Sequence, residues 1–186
     1  MTRLVECVPN VSEGRRGEVI DRLADAIRAV EGVRLLDRTS DVDHNRSVFT
    51  FAGPPEPVEA AAHALVDAAY RAIDMRTHTG EHPRIGAVDV VPFVPLAGTA
   101  MEECVEIAHR FGRAVAERHH VPVYFYARAA TRPDRVRLPD IRRPQYEGLG
   151  DVIGTTHVPD AGPSRVHPTA GALGAGARPP LIAFNI

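Results

Sequence analysis

Short apolar runs of β type alternate along this chain with longer segments whose apolar positions recur every three or four residues, and the alternation predicts its elements. Leu4 to Val8 reads as a strand stopped by Pro9-Asn10. From Gly17 to Val30, the positions Val19, Ile20, Leu23, Ala24, Ile27 and Val30 fall on one helical face, and Gly32 closes the helix. Val33 to Asp37 returns as a strand, a polar turn spans Ser40 to Arg46, and Ser47 to Ala52 alternates as a strand until Gly53-Pro54-Pro55. A second helix turns Val58, Ala61, Ala62, Leu65, Val66, Ala69, Tyr70 and Ile73 inward; its alanines suit close packing on a sheet. Ala87 to Leu96 reads as a strand broken by Pro92 and Pro95. Thr99-Ala100-Met101-Glu102 has the pattern of a capping box opening a third helix, and Val121 to Ala127 reads as another strand.

Val5-Glu6-Cys7-Val8-Pro9 and Val88-Asp89-Val90-Val91-Pro92 share an apolar–acid–apolar pattern ending in Val-Pro, each followed by a loop, a helix and a strand. Two such βαβ units predict an α+β fold, a ferredoxin-like sandwich with a mixed sheet and helices on one face. Chance similarity between valine-rich strands is the alternative source of the repeat.

Composition narrows the class. A length of 186 residues with 44% hydrophobic and 25% charged positions fits one soluble domain, or two small halves sharing a core. A formal charge of −2 supplies no general attraction to nucleic acid or to an anionic membrane. Cys7 and Cys104 lie far apart in apolar patterns, which suits a reducing compartment, and no stretch approaches the ~20 apolar residues of a membrane span. A cytoplasmic location is expected.

The chemistry concentrates in Arg76-Thr77-His78-Thr79-Gly80-Glu81-His82-Pro83-Arg84, which lacks any large apolar side chain. Gly80 and Pro83 disfavour a helix, so it reads as a loop between a helix ending near Asp74 and a strand starting near Ala87. Histidine exchanges protons near neutrality, and neighbouring arginines suit a carboxylate-bearing ligand. The bland alternative is a solvated polar loop. His78 and His82 have the i, i+4 spacing of a zinc pair, but Gly80, Pro83 and the lack of a nearby cysteine argue against a metal. His78-Thr79-Gly80-Glu81-His82-Pro83 resembles a zinc-finger linker, a reading that the absence of closely paired cysteines excludes.

Arg128 to Arg143 holds six arginines among Pro133, Pro139 and, just beyond, Pro144. It reads as a solvated irregular excursion or an anion-binding surface, and lacks the interleaved aromatics of a nucleic-acid platform. From Asp160 to Pro180 Gly, Ala and Pro dominate, as in a close backbone approach to a ligand or in a flexible tail. The strand-like Leu181-Ile182-Ala183-Phe184 favours the ordered alternative.

Val5 to Gly14, His78 to Asp89, Asp151 to Arg178 and Leu181 to Ile186 together resemble the N-terminal subdomain of the glutamate formimidoyltransferase (formiminotransferase) family, in register and nearly end to end. The resemblance implies transfer of a formimino group from N-formimino-L-glutamate to tetrahydrofolate in histidine breakdown, with tetrahydrofolate as co-substrate and no metal. It places the family's catalytic histidine on His82 and its folate-binding segment on Pro163 to Ala172, naming Pro163, Ser164, Pro168, Gly171 and Ala172. Asn45 and Arg46 match the family, and with Arg84 they are candidate substrate contacts. The chain departs from animal members at Thr39, where they carry an acid that Asp41 or Asp43 would replace, and at Val166 and Ala170, where they carry aromatics. The resemblance further implies that residues 1–186 are the N-terminal subdomain alone, with the C-terminal subdomain absent, and that a homodimer or the missing subdomain completes the site. A non-catalytic folate-binding or assembly module is the rival expectation.

Overall fold

Eight residues of strand period two set the pattern of the sheet in the computed structural model, which describes residues 3–181. Along Arg46–Gly53 (β4), Ser47, Phe49, Phe51 and Gly53 are buried while Arg46, Val48, Thr50 and Ala52 are half-buried on the other face. The other strands are Val5–Cys7 (β1), Asn10–Val11 (β2), Arg34–Asp41 (β3), Val88–Pro95 (β5), Val123–Ala127 (β6) and Leu173–Ala177 (β7). They form one seven-stranded mixed sheet in the order β3, β4, β1 with β2, β5, β7, β6. Pairings from β3 to β5 are antiparallel, and those of β5 with β7 and β7 with β6 are parallel.

Helices Gly17–Arg28 (α1), Pro55–Ala72 (α2) and Met101–His119 (α3) make the long crossovers. Each joins two parallel strands that leave room for one strand between them: α1 joins β1 to β3 around β4, α2 joins β4 to β5 around β1 and β2, and α3 joins β5 to β6 around β7. The expected α+β sandwich with βαβ units is therefore present. The sequence repeat marks two real crossovers, but the inserted strand is antiparallel in the first and parallel in the second.

The three long helices lie on one face, where Leu23, Ile27, Leu65, Val66, Ile107 and Phe111 bury themselves against Phe49, Phe51, Phe93 and Phe125. Two short helices, Leu138–Arg142 (α4) and Gln145–Val152 (α5), cover part of the other face through Ile141 and Leu149, with Ile153 just beyond, packing on Val90, Tyr124 and Tyr126. The arginine-rich segment is thus ordered rather than an irregular excursion.

Three local details differ from the sequence reading. Strand β5 runs unbroken through Pro92 because Val8-Pro9, opposite it, is the gap between β1 and β2. The missing proline N–H thus falls where no partner requires it, and the Pro92 carbonyl still accepts from Val8 N at 3.2 Å. Helix α3 starts at Met101 with Ala100 as N-cap, one residue too late for a Thr99 capping box, and Thr99 Oγ1 is buried without a partner. Strand β7, Leu-Gly-Ala-Gly-Ala, is hidden by its composition, since Gly and Ala are poor strand formers. Its glycines are required by contact: a Cβ on Gly176 would lie 2.5 Å from the Tyr126 ring. The expected strand at Leu181 to Phe184 falls, beyond Leu181, outside the described residues. Among the described residues no helix is long and apolar enough to cross a membrane.

Candidate active site

At the end of the sheet where β2 finishes and β4 and β5 begin, the Asp74–Ala87 loop is held down by backbone and buried polar groups. The Ser12 hydroxyl donates to Gly86 O at 2.7 Å, and Met75 N to Thr169 O at 2.8 Å. Asn45 sits in the left-handed region at φ 48°, accepts from Gly14 N on its amide oxygen and donates its amide to Thr79 O, both at 2.9 Å. Asn45 therefore holds two loops together, and its side chain is committed to that task. Gly80 passes so close to His44 that a Cβ would stand 2.4 Å from the His44 carbonyl oxygen. The buried Glu13 carboxylate accepts the Arg15 and Arg16 amides at 2.9 Å, which orders the entry to α1.

The two histidines of the loop have different environments. His78 is pinned on both ring nitrogens: Nε2 lies 3.1 Å from Asn45 O, and Nδ1 accepts from Arg84 Nε at 3.2 Å. This fixes the tautomer with the proton on Nε2, and burial holds the ring below the ordinary histidine value. His82, half-buried, makes no hydrogen bond among the described residues and borders a cavity of about 320 Å³ with Pro83, Pro139, Arg142, Arg143 and Gln145. Burial, then the positive charges of Arg142, Arg46, His44 and Arg84, lower His82 to about 3. Its ring is neutral at physiological pH and has a free lone pair.

His44 stands edge-on to His82 with ring centroids 6.1 Å apart. Its Nδ1 is 3.1 Å from Asp41 Oδ2, and its amide donates to Asp41 Oδ1 at 2.8 Å. Asp41 thus reaches His82 only through His44. Thr39 lies farther along β3, lining a separate cleft with Ser40, Asp41, Arg46 and Val48.

The candidate arginines divide. Arg84 is buried, and both terminal nitrogens bind the Glu147 carboxylate, so it fastens the loop to α5 rather than facing a ligand. Arg46 is half-buried and has no ion-pair partner among the described residues. Arg142 entered the sequence reading only as part of an arginine-rich stretch. It donates from Nε to Asp89 Oδ2 at 2.9 Å and from Nη2 to the same oxygen, while Asp89 Oδ1 accepts Ile85 N at 3.0 Å. Asp89 is buried, which pushes its carboxyl up, and Arg142 offsets that in part. One carboxylate therefore joins the histidine loop to α4.

The folate-segment residues are also divided. Gly171 and Ala172 are buried beside the loop: Ala172 N donates to Ile85 O and Ala87 N to Ala170 O, both at 2.9 Å. Gly171 has φ 73°, and a Cβ there would lie 2.4 Å from Ile85 O. Pro168 instead borders a second cavity of about 440 Å³ with His119, His120, Arg165, Val166 and His167. Pro163 and the exposed Ser164 follow Gly162, whose φ of 82° carries the chain past Val121. Among the described residues no group of three or more His, Cys, Asp or Glu is placed to hold a metal. Cys7 and Cys104 are both free and buried, with burial raising Cys104 to about 12.

Residues 4–178 match the family model for the formiminotransferase domain, N-terminal subdomain. The chain is 44% identical over its whole length to a glutamate formimidoyltransferase of Streptococcus pyogenes serotype M1, covering 62% of that protein. It is 50% identical over 98% of its length to a glutamate formimidoyltransferase of Thermoplasma acidophilum, covering 61% of it. A formimidoyltransferase-cyclodeaminase of Rattus norvegicus is 50% identical over the whole chain, which spans 35% of that larger protein.

Proposed function

The chain belongs to the formiminotransferase family as an N-terminal subdomain, and from that premise we propose that it serves transfer of a formimino group from N-formimino-L-glutamate to tetrahydrofolate, with His82 as general base. The observation that carries this reading is the contrast between the histidines: His78 has both ring nitrogens engaged, whereas His82 presents an unbonded neutral ring to a cavity. In the reaction, N5 of tetrahydrofolate forms a bond to the formimino carbon, giving a tetrahedral adduct. The bond from that carbon to the glutamate nitrogen then breaks. His82 takes the proton from N5 and returns it to the departing nitrogen, so protons balance over the turnover.

Gly171 and Ala172, buried against Ile85, are the part of the Pro163–Ala172 segment that adjoins the histidine loop, so their part in folate binding near His82 is to fix that loop from beneath. Arg46 is the preferred substrate contact among the sequence candidates, since Asn45 and Arg84 are engaged in holding the loop. Both reactants are water-soluble small molecules, which fits a cytoplasmic enzyme of one-carbon metabolism.

The chain spans about three fifths of the single-activity relatives it matches. The half of the sheet carrying Arg46, Val48, Thr50 and Ala52 has no described helix on the side they occupy, and this is where a second subdomain or second copy would complete the groove. The test is release of glutamate from N-formimino-L-glutamate with tetrahydrofolate, by this chain alone and with a relative's C-terminal subdomain supplied. Transfer in either arm, lost in His82→Ala, supports the reading; no transfer in both arms overturns it. The rival, a folate-binding module without turnover, draws on Pro168 and Val166 lining a cavity separate from that of His82. Folate-dependent amide protection around Pro168 with no transfer would favour it.

A further inference from the structure

His167 turns its ring on its own backbone. Thr169 N and Ala170 N both donate to His167 Nδ1, at 3.3 and 3.0 Å. Gly171 N donates to His167 O at 2.9 Å, and His167 N donates back to Gly171 O at 3.1 Å. A ring nitrogen that accepts two amides carries no proton, so His167 is the neutral tautomer with its proton on Nε2. In a trans peptide the N–H and the C=O point in opposite directions. Drawing three successive N–H groups onto His167 therefore turns three successive carbonyls away from it, and each finds a partner in another element. Pro168 O accepts the Tyr146 hydroxyl of α5 at 3.1 Å, Thr169 O accepts Met75 N at 2.8 Å, and Ala170 O accepts Ala87 N at 2.9 Å. Met75 and Ala87 lie at the two ends of the loop that bears His82.

We propose that His167 is a positioning residue for His82: its neutral ring fixes the turn from which both ends of the histidine loop are held, and a proton on Nδ1 releases them. This deepens, and rests on, the reading of His82 as the base. Within the Pro163–Ala172 segment it gives His167 an internal task rather than a ligand contact.

Once protonated, Nδ1 is a donor facing two donors, and both amides lose their acceptor. The surroundings oppose that step. His119, His120 and Arg165 share a cavity wall with His167, and none of the described residues lining that cavity is acidic. Asp67 of α2 is spent on His119 and Arg118 of α3, at 2.8 and 3.5 Å. Tyr146, which reaches the turn from α5, is uncharged, with burial pushing its hydroxyl up. Burial, then the positive charges of His119, His120 and Arg165, hold the His167 ring below the ordinary histidine value. The turn therefore stays closed at neutral pH.

The experiment is amide hydrogen exchange on the intact protein, comparing the parent with two variants. His167→Phe keeps a planar ring and removes the acceptor, whereas His167→Asn supplies a side-chain carbonyl that can take the same amides in an Asx turn. In His167→Phe the Met75 and Ala87 amides should exchange about tenfold faster or more, as expected for loss of two hydrogen bonds, with the β4 amides unchanged. His167→Asn should return most of the protection. In the parent, protection at Met75 and Ala87 should fall on acidification with the midpoint of the His167 ring itself, read by NMR, which decides the matter even where His167→Phe does not fold. Wherever transfer is seen, alone or with the second subdomain supplied, His167→Phe should lower kcat more than it raises KM, and His167→Asn should recover kcat. Unchanged exchange at Met75 and Ala87 in His167→Phe, or protection that ignores the His167 midpoint, overturns the proposal. Faster exchange with an unaltered kcat overturns the positioning role and leaves His82 standing as the base. Faster exchange with no transfer by any of the proteins overturns the transferase reading and leaves His167 as the residue that holds the loop.

Discussion

Arg84 and Glu147 stand sixty-three residues apart and meet through two hydrogen bonds, at 2.9 and 2.5 Å, the arginine side chain 5% exposed and the carboxylate 61% exposed. The pair ties the histidine loop to α5 across the sheet end. Removing the acid strands a buried cation, whereas removing a surface ion pair usually costs little. Glu147→Ala should therefore cost about 2 kcal/mol of stability, softened by water reaching the exposed side. Urea unfolding with unchanged m-value is the check; a loss below about 0.5 kcal/mol would mean that Arg84 finds another partner.

The loop histidines should separate by what their loss damages. His82→Ala should lower transfer by about a hundredfold to ten-thousandfold, the range of a general base, and leave the melting temperature within a degree or two of the parent. His78→Ala breaks contacts to Asn45 O and Arg84 Nε, so it should lower stability by about 1–2 kcal/mol. Melting curves beside a transfer assay decide it; equal stability losses in the two variants would sink the distinction.

Acid should weaken the fold earlier than carboxylate chemistry alone explains. Burial lowers His82, to about 3, and also lowers His78, His63, His157 and His167. In the unfolded chain these rings titrate near about 6.5. Below that value the unfolded state binds more protons than the folded one, so stability is fully present above about pH 6.5 and falls as the pH drops toward the folded values. The depressed carboxyls of Glu13 and Asp41 add losses of the same sign below about pH 4.5, while Asp89, raised by burial, acts in the opposite sense. Urea midpoints at pH 7.5, 6 and 5 should decline step by step, and His82→Gln should flatten part of the decline. A midpoint constant from pH 7.5 to 5 contradicts this.

Gly86→Ala should be among the most damaging single-methyl changes in the chain. Its Cβ would lie 2.0 Å from Ala172 O and 2.5 Å from Ala170 O, both backbone atoms that cannot swing aside. A loss of about 3 kcal/mol or more is expected, at the upper end of point-mutation effects. Gly17→Ala, with nothing near its Cβ, is the control and should be neutral or slightly stabilising. Thermal melts of the pair test the contact; near-equal melting temperatures would rule it out.

The long amphipathic segments are legible because each buries one face against one partner. The inward positions read for the first helix, Val19 through Ile27, are the buried ones of α1. Strand β7 is not legible, because what makes Gly176 necessary is the Tyr126 ring from a neighbouring strand, and what crowds Gly174 is Val90 from the strand on its other side, contacts absent from local sequence. The loop bearing His82 is readable from its polarity, whereas the left-handed Asn45 that anchors it from the β3–β4 turn is signalled by nothing but the neighbouring Asp and His of that turn. Arg142 stands out only as one arginine in a cluster. Its distinction is that Asp89, fifty-three positions earlier, holds it at the cavity. Long-range pairing of that kind leaves no periodicity to read.

Asp89 spends one oxygen on Ile85 N and the other on Arg142. A designer moving this chemistry to another scaffold could not lift the His78–Asp89 loop alone. The smallest transplantable unit comprises that loop, helix α4 that carries the counter-charge, and the Ala170–Ala172 backbone that clamps Ile85 and Ala87. Taken without the second piece, the loop would arrive with a buried, unmatched carboxylate beneath it, and the graft would fail at folding before its reactivity could be measured.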